Sequence, residues 1–332
     1  MISTVQQKAP STLLVVIAFA IVYVVWGSTY FFIQMAIRGI PAMLMGAMRF
    51  IAAGAIMLAW CALRGDKIWV KRDVINAAVS GLLLLAVGNG IVIWVEQALP
   101  SAMVAIMVSA NPIWFVVLDK RNWKQNLRST ATVVGLIIGF AGVILLFGEQ
   151  VVNTLGGTHN NAKIRGVCLL VIGPIGWAGG SLYSKYKGSS SPARVTTAWQ
   201  MLIAGIAFLP ASALHNEFAN FDIAQVPAQA WMAVLYLVFF GSIAAFTAYV
   251  WLLQVRPATQ VSTHSYVNPV IAVLLGVMFA QEHISWLQIG GLVIILVSVL
   301  LINLAKYRKD GDDKKEVKPK GVKLNGSVRE VV

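Results

Sequence analysis

Polar or charged side chains inside long apolar runs would be surrounded by lipid rather than water, and six of them are candidates for binding or chemistry. These six are Arg49, Asn89, Glu96, Asn111, His264 and Asn268. A buried amide or imidazole is costly unless it is hydrogen-bonded, and an intramembrane charge usually has a partner. Such groups also hold polar substrates or carry protons within membranes. The sequence therefore contains the residues of a polar site within an apolar bundle.

Two of these asparagines belong to a pattern that occurs twice. Residues 94–100 and 251–257 both read W-x-x-Q-x-x-P, and an Asn-Pro pair begins eleven residues after each final proline, at a constant offset of 157. Pro112 and Pro269 fall inside apolar helical runs, where each removes a backbone donor and clashes with the carbonyl four residues back. In hydrocarbon, a released carbonyl is tolerated only where protein or a water-filled cavity takes it up. The doubled helix break predicts a polar cavity between two repeats.

The released carbonyls belong to Val108 and Ser265. Asn111 and Asn268 could cap these carbonyls or donate to a substrate, and both interpretations stay open. Each lies ~16 Å along a helix that rises ~1.5 Å per residue, so the two approach the middle of a ~30 Å core from opposite sides. Asn89 has no polar counterpart in the other repeat, which favours contact with an asymmetric substrate.

Aromatic and imidazole side chains supply further candidates for substrate binding. Trp26 and Trp177 lie ~20 Å into their helices, too deep for an interfacial belt, so each suits a cavity wall or plain packing. His264 has an unperturbed pKa of ~6.5 and suits a proton carrier, with a neutral packed imidazole as the alternative. The tyrosines that could offer hydroxyls to a wet cavity are Tyr30, Tyr183, Tyr249 and Tyr266.

Arg49 and Glu96 are the charges well inside helices, at depths of ~12 and ~6 Å. Since intramembrane charges usually pair, we predict that the two side chains contact one another. The pair is either structural or a clamp for a substrate carboxylate. Cys61 and Cys168 stand in separate runs without metal-site spacing, so neither a metal nor a cofactor is expected.

The composition indicates that lipid surrounds these groups. The 332 residues are 58% hydrophobic and 12% charged, with a mean hydropathy of +0.76, which is typical of a membrane protein. The net charge of +13 lies in loops and in the C-terminal tail rather than on one soluble face, so a nucleic-acid partner is not expected. The expected partners are the lipid bilayer and a small-molecule substrate.

Ten apolar runs have the ~20-residue length that crosses a ~30 Å core. They cover residues 12–36, 41–63, 74–97, 100–118, 129–147, 164–184, 194–213, 229–253, 258–280 and 286–305. The sequence thus predicts an all-α membrane protein of ten transmembrane helices. With a cytoplasmic N-terminus, only Arg38, Lys163 and Arg165 lie in outer loops, so the positive-inside rule places both termini in the cytoplasm.

Further matches extend the repeat. An offset of 151 relates Trp26 to Trp177, Pro41 to Pro192 and Gly54 to Gly205. Residues 1–150 and 151–305 then hold five helices each, followed by a disordered cytoplasmic tail at 306–332. An odd number of helices forces the halves into opposite orientations, and inverted repeats are common in secondary transporters, whose sites lie between the repeats.

Four stretches carry a resemblance to a known family: WGSTY at 26–30, Arg49-Phe50, LLLLAVGNG at 82–90 and YVNPVIAVLLG at 266–276. Over about residues 12–305 the chain resembles the ten-helix EamA exporters of the drug/metabolite transporter superfamily, in particular the YedA-type inner-membrane transporters. The resemblance implies a 5+5 inverted repeat, a central cavity lined by both halves, and alternating access without nucleotide. Residues 120–128 depart from the family pattern at the inner end of the fourth helix.

The expected function is export of a small amphipathic metabolite, such as an amino acid, a nucleobase or a drug-like compound, across the bacterial inner membrane. An intramembrane lipid-processing enzyme and a channel are the alternatives. The helices lack clustered catalytic side chains and a nucleotide-binding motif, which favours transport over enzymatic activity. Gly135 and Gly139 suit close helix packing, either within a monomer or between the copies of a homodimer.

Overall fold

The computed structural model describes residues 11–98, 104, 108–155, 161–219, 221–280 and 286–316. Every regular element in these ranges is helical, so the predicted all-α class is confirmed for them. The helices are α1 (Thr12–Ile37), α2 (Ala42–Leu63), α3 (Lys71–Val95), α4 (Asn111–Leu118), α5 (Trp123–Arg128), α6 (Thr130–Leu155), α7 (Asn161–Lys187), α8 (Ala193–Leu214), α9 (Ala228–Val255), α10 (Ala258–Val261), α11 (His264–Ala280) and α12 (Trp286–Glu316).

Several of these helices are long and apolar enough to cross a membrane. By length and composition, α1, α2, α3, α8 and α9 pass this test within the described ranges. α5 and α6 add a sixth span if the pair, which is bent by 91°, counts as one. The chain is therefore a multi-pass membrane protein, and the count of ten spans stays a prediction.

α2 and α8 cross at glycines that are equivalent in the two repeats. A Cβ on Gly54 would lie 2.5 Å from the backbone nitrogen of Leu202, and one on Gly205 would lie 2.6 Å from that of Ile51. Both contacts follow the offset of 151, since Gly54 corresponds to Gly205 and Ile51 to Leu202. The helices thus pack backbone to backbone about a local two-fold axis, an approach that a residue without Cβ permits.

The same symmetry governs how α2 and α8 end. Gly65 and Asn216, which are also 151 residues apart, follow the two helices with positive φ values of 75° and 54°. Glycine and asparagine enter this left-handed region at the least cost. The next residues, Asp66 and Glu217, donate their N–H groups to carbonyls of the last helical turn at 3.0 Å. Both helices therefore carry the same hydrogen-bonded C-terminal cap.

The acidic side chain that follows each cap reaches the start of the other helix. Asp66 accepts two hydrogen bonds from the Arg194 guanidinium of α8, at 2.5 and 2.6 Å. Glu217 accepts from the backbone N–H groups of Met43 and Leu44 in α2, at 3.1 and 2.8 Å. A carboxylate at a helix N-terminus satisfies unpaired N–H groups and the helix dipole. α2 and α8 are thus tied together at both ends as well as at their crossing.

Two helices that line the centre of the bundle contain a π-helical segment. These segments are Leu82–Asn89 in α3 and Leu237–Ala244 in α9. Their starting residues differ by 155 positions, close to the repeat offset, so the segments occupy corresponding places in the two halves. π segments are rare and frequently mark functional sites. These segments were not predicted from the sequence.

The predicted glycine stripe of the fifth helix is used within the chain. A Cβ on Gly135 would lie 2.6 Å from Ile302, and one on Gly139 would lie 2.6 Å from Ser298, so α12 packs directly on α6. α12 itself continues to Glu316. The tail that was predicted to be disordered from residue 306 therefore begins as helix, and residues 317–332 lie outside the described ranges.

Candidate functional site

A cavity of ≈ 60 Å³ lies between the π segments of α3 and α9. At ~10–15 Å³ for each water, it has room for a few water molecules. Helices of both predicted repeats contribute to its wall. The lining residues are Trp26, Thr29, Tyr30, Ile33, Arg49, Phe50, Leu85, Gly88, Asn89, Val92, Val108, Asn111, Gly173, Pro174, Trp177, Gly241, Phe246, His264 and Asn268.

Most of the residues that were predicted to contact substrate lie on this wall. They are Trp26, Tyr30, Asn89, Asn111, Trp177, His264 and Asn268. The rise per residue of a helix predicted how far along each helix they lie, and the structure shows that they also border the same cavity. Their contact with a substrate stays a prediction.

Four rings pack together beside the cavity and form what we call the four-ring cluster: Trp26, Trp177, Tyr249 and His264. Every pair in this cluster has ring centroids between 4.9 and 6.3 Å apart, the range in which aromatic rings attract one another. The rings come from α1, α7, α9 and α11. Trp26 and Trp177, equivalent in the two repeats, meet edge to face at 5.3 Å.

Hydrogen bonds fix the orientation of both indoles in the four-ring cluster. Trp26 Nε1 donates to the carbonyl of Gly241, inside the π segment of α9, at 3.0 Å. Trp177 Nε1 donates to the Tyr249 hydroxyl at 2.9 Å, and that hydroxyl also bonds Ser181 Oγ at 2.6 Å. A buried indole N–H needs such a partner. The rings are therefore held as a rigid surface beside the cavity.

The carbonyls released by the two prolines meet different partners. Pro269 lies inside α11, and the freed carbonyl of Ser265 accepts from Ser109 Oγ at 2.9 Å. Pro112 stands in the first turn of α4, where a missing N–H costs little. Val108, whose carbonyl Pro112 would release, lies on the cavity wall. Asn111 Nδ2 donates to Ser265 Oγ at 3.2 Å, so the two proline sites are in direct contact.

Several polar atoms at the cavity have no hydrogen-bond partner among the described residues. They are Asn89 Oδ1, Asn111 Oδ1, Asn268 Oδ1, His264 Nε2 and Arg49 Nη1. His264 Nδ1 lies 3.5 Å from Asn268 Nδ2. Unpaired buried groups are costly, so this wall suits a ligand with both donors and acceptors.

The predicted contact between Arg49 and Glu96 is not formed. Arg49 Nε instead donates to Ser242 Oγ at 2.8 Å, and its guanidinium lies 4.7 Å from the centre of the Phe50 ring. Neither carboxylate oxygen of Glu96 has a hydrogen-bond partner within the described ranges. The two charges are close enough to interact electrostatically. Helical rise gave both depths but not the directions of the side chains, and only Arg49 lies on the cavity wall.

Three of the predicted tyrosines do not line the cavity. Their hydroxyls instead form hydrogen bonds with protein groups. Tyr183 donates to Asn76 Oδ1 at 3.1 Å. Tyr266 donates to the carbonyl of Leu136 in α6 at 3.0 Å. Tyr249 stands behind the wall, in the four-ring cluster, with its hydroxyl on Trp177 and Ser181. Each of these tyrosines stabilises the bundle through contacts that sequence spacing does not show.

Small and apolar residues of the wall were not predicted from the sequence. They include Thr29, Ile33, Leu85, Gly88, Val92, Gly173, Pro174 and Gly241. One usable signal was present, since Gly173-Pro174 interrupts an apolar run and such interruptions often mark a transporter site. Nothing in the sequence distinguishes Gly241 from other helical glycines, because its role depends on the π segment and on Trp26.

A further group of hydrogen bonds joins the C-terminal ends of α4 and α7. The Tyr186 hydroxyl donates to Asp119 Oδ1 at 2.6 Å, and Asn122 Nδ2 donates to both Asp119 Oδ2 and Tyr186. Lys185 donates to the carbonyl of Arg256 at 2.8 Å, at the end of α9. We call this group the α4–α7 clasp. It holds together helices that also contribute to the cavity wall.

The EamA-like transporter family matches this chain twice, at residues 13–148 and 164–304. The chain belongs to this family. The two matches mean that the chain contains two EamA repeats, and the resemblance to the drug/metabolite transporter superfamily is confirmed.

Relatives of this EamA protein match along most of their length. The chain is 39% identical over 291 residues to the inner membrane transporter YedA of Escherichia coli K12, covering 86% of this chain and 89% of YedA. It is 24% identical over 287 residues to the transporter YvbV of Bacillus subtilis 168, covering 86% and 90%. A crystal structure at 19% identity aligns with a TM-score of 0.72 over 90% of this chain and all of the other. That likeness shows the fold.

Proposed function

We propose that this EamA family member is a secondary transporter that exports a small amphipathic metabolite, such as an amino acid, a nucleobase or a drug-like compound. The observation that carries the proposal is the cavity, because both repeats line it and its wall combines aromatic rings with asparagines whose buried amide oxygens have no hydrogen-bond partner in the described part of the chain. Such a wall binds a solute that has an apolar ring and a few hydrogen-bonding groups. Transport by alternating access follows, since a site between two repeats is exposed to either side as the repeats rock.

The proposed architecture has ten transmembrane helices in a 5+5 inverted repeat, in the inner membrane, with both termini in the cytoplasm. The reciprocal contacts of Gly54 and Gly205 support a two-fold relation between the repeats. The two family matches support the same division, and the name of YedA supports the inner membrane. The basic loops support the orientation.

This orientation assigns a role to the α4–α7 clasp. α1 runs outward, so the cavity residues Trp26 to Ile33 lie in its outer half, whereas Asp119 and Tyr186 lie at inner helix ends. The clasp then closes the cytoplasmic side of the cavity. For substrate to enter from the cytoplasm, the hydrogen bonds of the clasp must separate while the α2–α8 crossing acts as the pivot. Export therefore requires the clasp to open before substrate binds and to close again before substrate leaves on the outer side.

A screen of metabolites for thermal stabilisation of the purified protein tests the proposed function. We expect a hit whose stabilising effect disappears in Trp177→Ala and in Asn89→Ala, because both side chains line the cavity. Trp60→Ala is the matched control, since Trp60 is 43% exposed on the outside of the bundle. Binding that survives both cavity substitutions would refute the site.

Counterflow in proteoliposomes then tests the mechanism. A carrier that alternates between two states shows saturation and acceleration by substrate on the opposite side, and a channel shows neither. We expect both properties for each hit of the thermal screen. Uptake that rises linearly with concentration, without acceleration from the opposite side, would contradict alternating access.

A further inference from the structure

Arg49 is the one formal charge on the cavity wall within the described residues. Its side chain is 3% exposed and reaches the wall from α2. Nε is held by Ser242 at 2.8 Å, while Nη1 has no hydrogen-bond partner in the described protein. A guanidinium fixed by one nitrogen and unpaired at another is oriented to receive an anion. Leaving it unpaired in a buried wall is costly.

Three other buried charged side chains of this chain accept hydrogen bonds from protein groups. Asp73 accepts from Ser190 and Ser191, Asp119 accepts from Tyr186, and Glu217 accepts from two backbone N–H groups. In these three cases the fold provides hydrogen bonds to the buried charge. Arg49 lacks a comparable anion partner among the described residues, which sets it apart from a structural charge.

Glu96 does not serve as that partner. Its carboxylate oxygens have no hydrogen-bond partner in the described ranges, and the residue is outside the cavity wall. It lies one helical turn beyond Val92, which does line the cavity, and its charge acts on Arg49 without a hydrogen bond between them. Glu96 therefore offsets the charge of Arg49 from a distance and leaves the guanidinium free to bind another carboxylate.

The surroundings of Arg49 also indicate the shape of what it would bind. A Cβ on Gly241 would lie 3.1 Å from Arg49 Nη2, and the carbonyl of the same Gly241 accepts from Trp26 Nε1 at 3.0 Å. The guanidinium and the four-ring cluster thus meet at one residue of the α9 π segment. An anion on Arg49 would place the body of the same molecule against aromatic rings.

We propose that the cavity takes a monocarboxylate, bound through its carboxylate by Arg49 and through an apolar or aromatic body by the four-ring cluster. This inference rests on the proposed function and names the substrate class. Guanidinium and carboxylate form paired, charge-assisted hydrogen bonds. A single cation on the wall matches a single negative charge. Glu96 competes electrostatically with the bound carboxylate, so it weakens binding and favours release.

Matched pairs of small compounds test the proposal. The panel is acetate, 3-phenylpropionate and indole-3-acetate, each beside its primary amide, measured by thermal shift and by quenching of tryptophan fluorescence in purified full-length protein. We expect the aromatic carboxylates to bind and their amides to bind about 10- to 100-fold more weakly, the range of a hydrogen bond to a charged group. Acetate, which lacks the aromatic body, should bind more weakly than the two larger acids.

Variants assign this preference to Arg49. Arg49→Gln should abolish the difference between acid and amide. The single variant Arg49→Gln leaves the charge of Glu96 without its counter-charge and could fail to fold for that reason. In that case the double variant Arg49→Gln/Glu96→Gln, which removes both charges, replaces it in the assay. Glu96→Gln alone should bind the carboxylates more tightly, an effect that a purely structural pair would not produce. Arg64→Gln, at the exposed end of the same helix, is the matched control and should behave as wild type.

Three results would overturn the carboxylate site: no acid of the panel binds, amides bind as well as acids, or the charge-free double variant keeps the preference for acids. None of these results would contradict the proposed transport function. That function has its own test, and it is contradicted if the metabolite screen and the counterflow assay find no saturable substrate. A neutral substrate that is transported independently of Arg49 would keep the carrier and remove the monocarboxylate.

Discussion

Polar side chains in this bundle fall into two groups that sequence alone does not separate. Ser109 and Ser181 bind protein groups and so stabilise the fold. Asn89 and Asn268 line the cavity, and each keeps a buried amide oxygen that no described residue hydrogen-bonds. Both groups lie at similar depths along their helices, so depth alone does not separate them. Which of them face the cavity depends on the donors that neighbouring helices present.

At the residue scale, the ion pair of Asp66 with Arg194 predicts how the stability of the protein depends on pH. The Arg194 guanidinium holds the pKa of the Asp66 carboxyl below its usual range. A folded-state pKa below the unfolded value of about 3.9 means that the ion pair stabilises the protein fully above about pH 4 and that this contribution is lost as pH falls through the folded-state pKa. Asp66→Asn should therefore lose less stability than wild type on acidification below about pH 4.

Thermal unfolding in detergent, from neutral pH to about pH 3, measures this effect. Arg194→Gln is the partner control, since it removes the same ion pair from the other side and should flatten the same part of the profile. If Asp66→Asn keeps the wild-type dependence on pH, the ion pair does not tie α2 to α8 in solution.

Among the described helices, α2 and α8 approach each other backbone to backbone. Their glycines meet backbone rather than side chains, with Gly54 against Leu202 and Gly205 against Ile51. Side chains can rotate to relieve a clash, but backbone can move only with its helix. The crossing is therefore a fixed point of the bundle, which suits it to act as the pivot of the two repeats.

Gly54→Ala and Gly205→Ala should each destabilise the protein by about 1–3 kcal/mol, the usual cost of overpacking. The added Cβ would come within 2.5 or 2.6 Å of a backbone nitrogen, so the helices must separate. Gly179→Ala is the control, because a Cβ there meets nothing within 4 Å. Denaturant unfolding measures all three variants, and equal stability of the three would contradict a rigid crossing.

For the whole molecule, the symmetry of caps, crossing and end contacts supports the proposal that the two halves have opposite orientations. Asp66 and Glu217 occupy equivalent positions, yet they follow helices that run in opposite directions through the proposed membrane. The loops that contain them should therefore lie on opposite sides. This arrangement is what gives a central site access to each side in turn.

Single cysteines test the two sides. In a variant without Cys61 and Cys168, Lys67→Cys and Ala219→Cys place thiols at exposed positions after α2 and α8. We expect a membrane-impermeant maleimide to label Ala219→Cys in intact cells and Lys67→Cys only after lysis. Labelling of both from the same side would contradict the inverted repeat, and the reverse pattern would contradict the orientation.

The sequence by itself determined the apolar class, the repeat and the depth of the polar residues, because helical rise and proline chemistry act within one segment. It thereby predicted most of the polar part of the cavity wall, including Asn111, and both of its tryptophans, Trp26 and Trp177. Only the tertiary structure decided that Arg49 is separated from Glu96, that Tyr266 is bound by α6, and that a π segment offers its carbonyl to Trp26. These outcomes depend on the direction of a side chain and on which distant helix packs against it, and neither is encoded in the spacing along one helix.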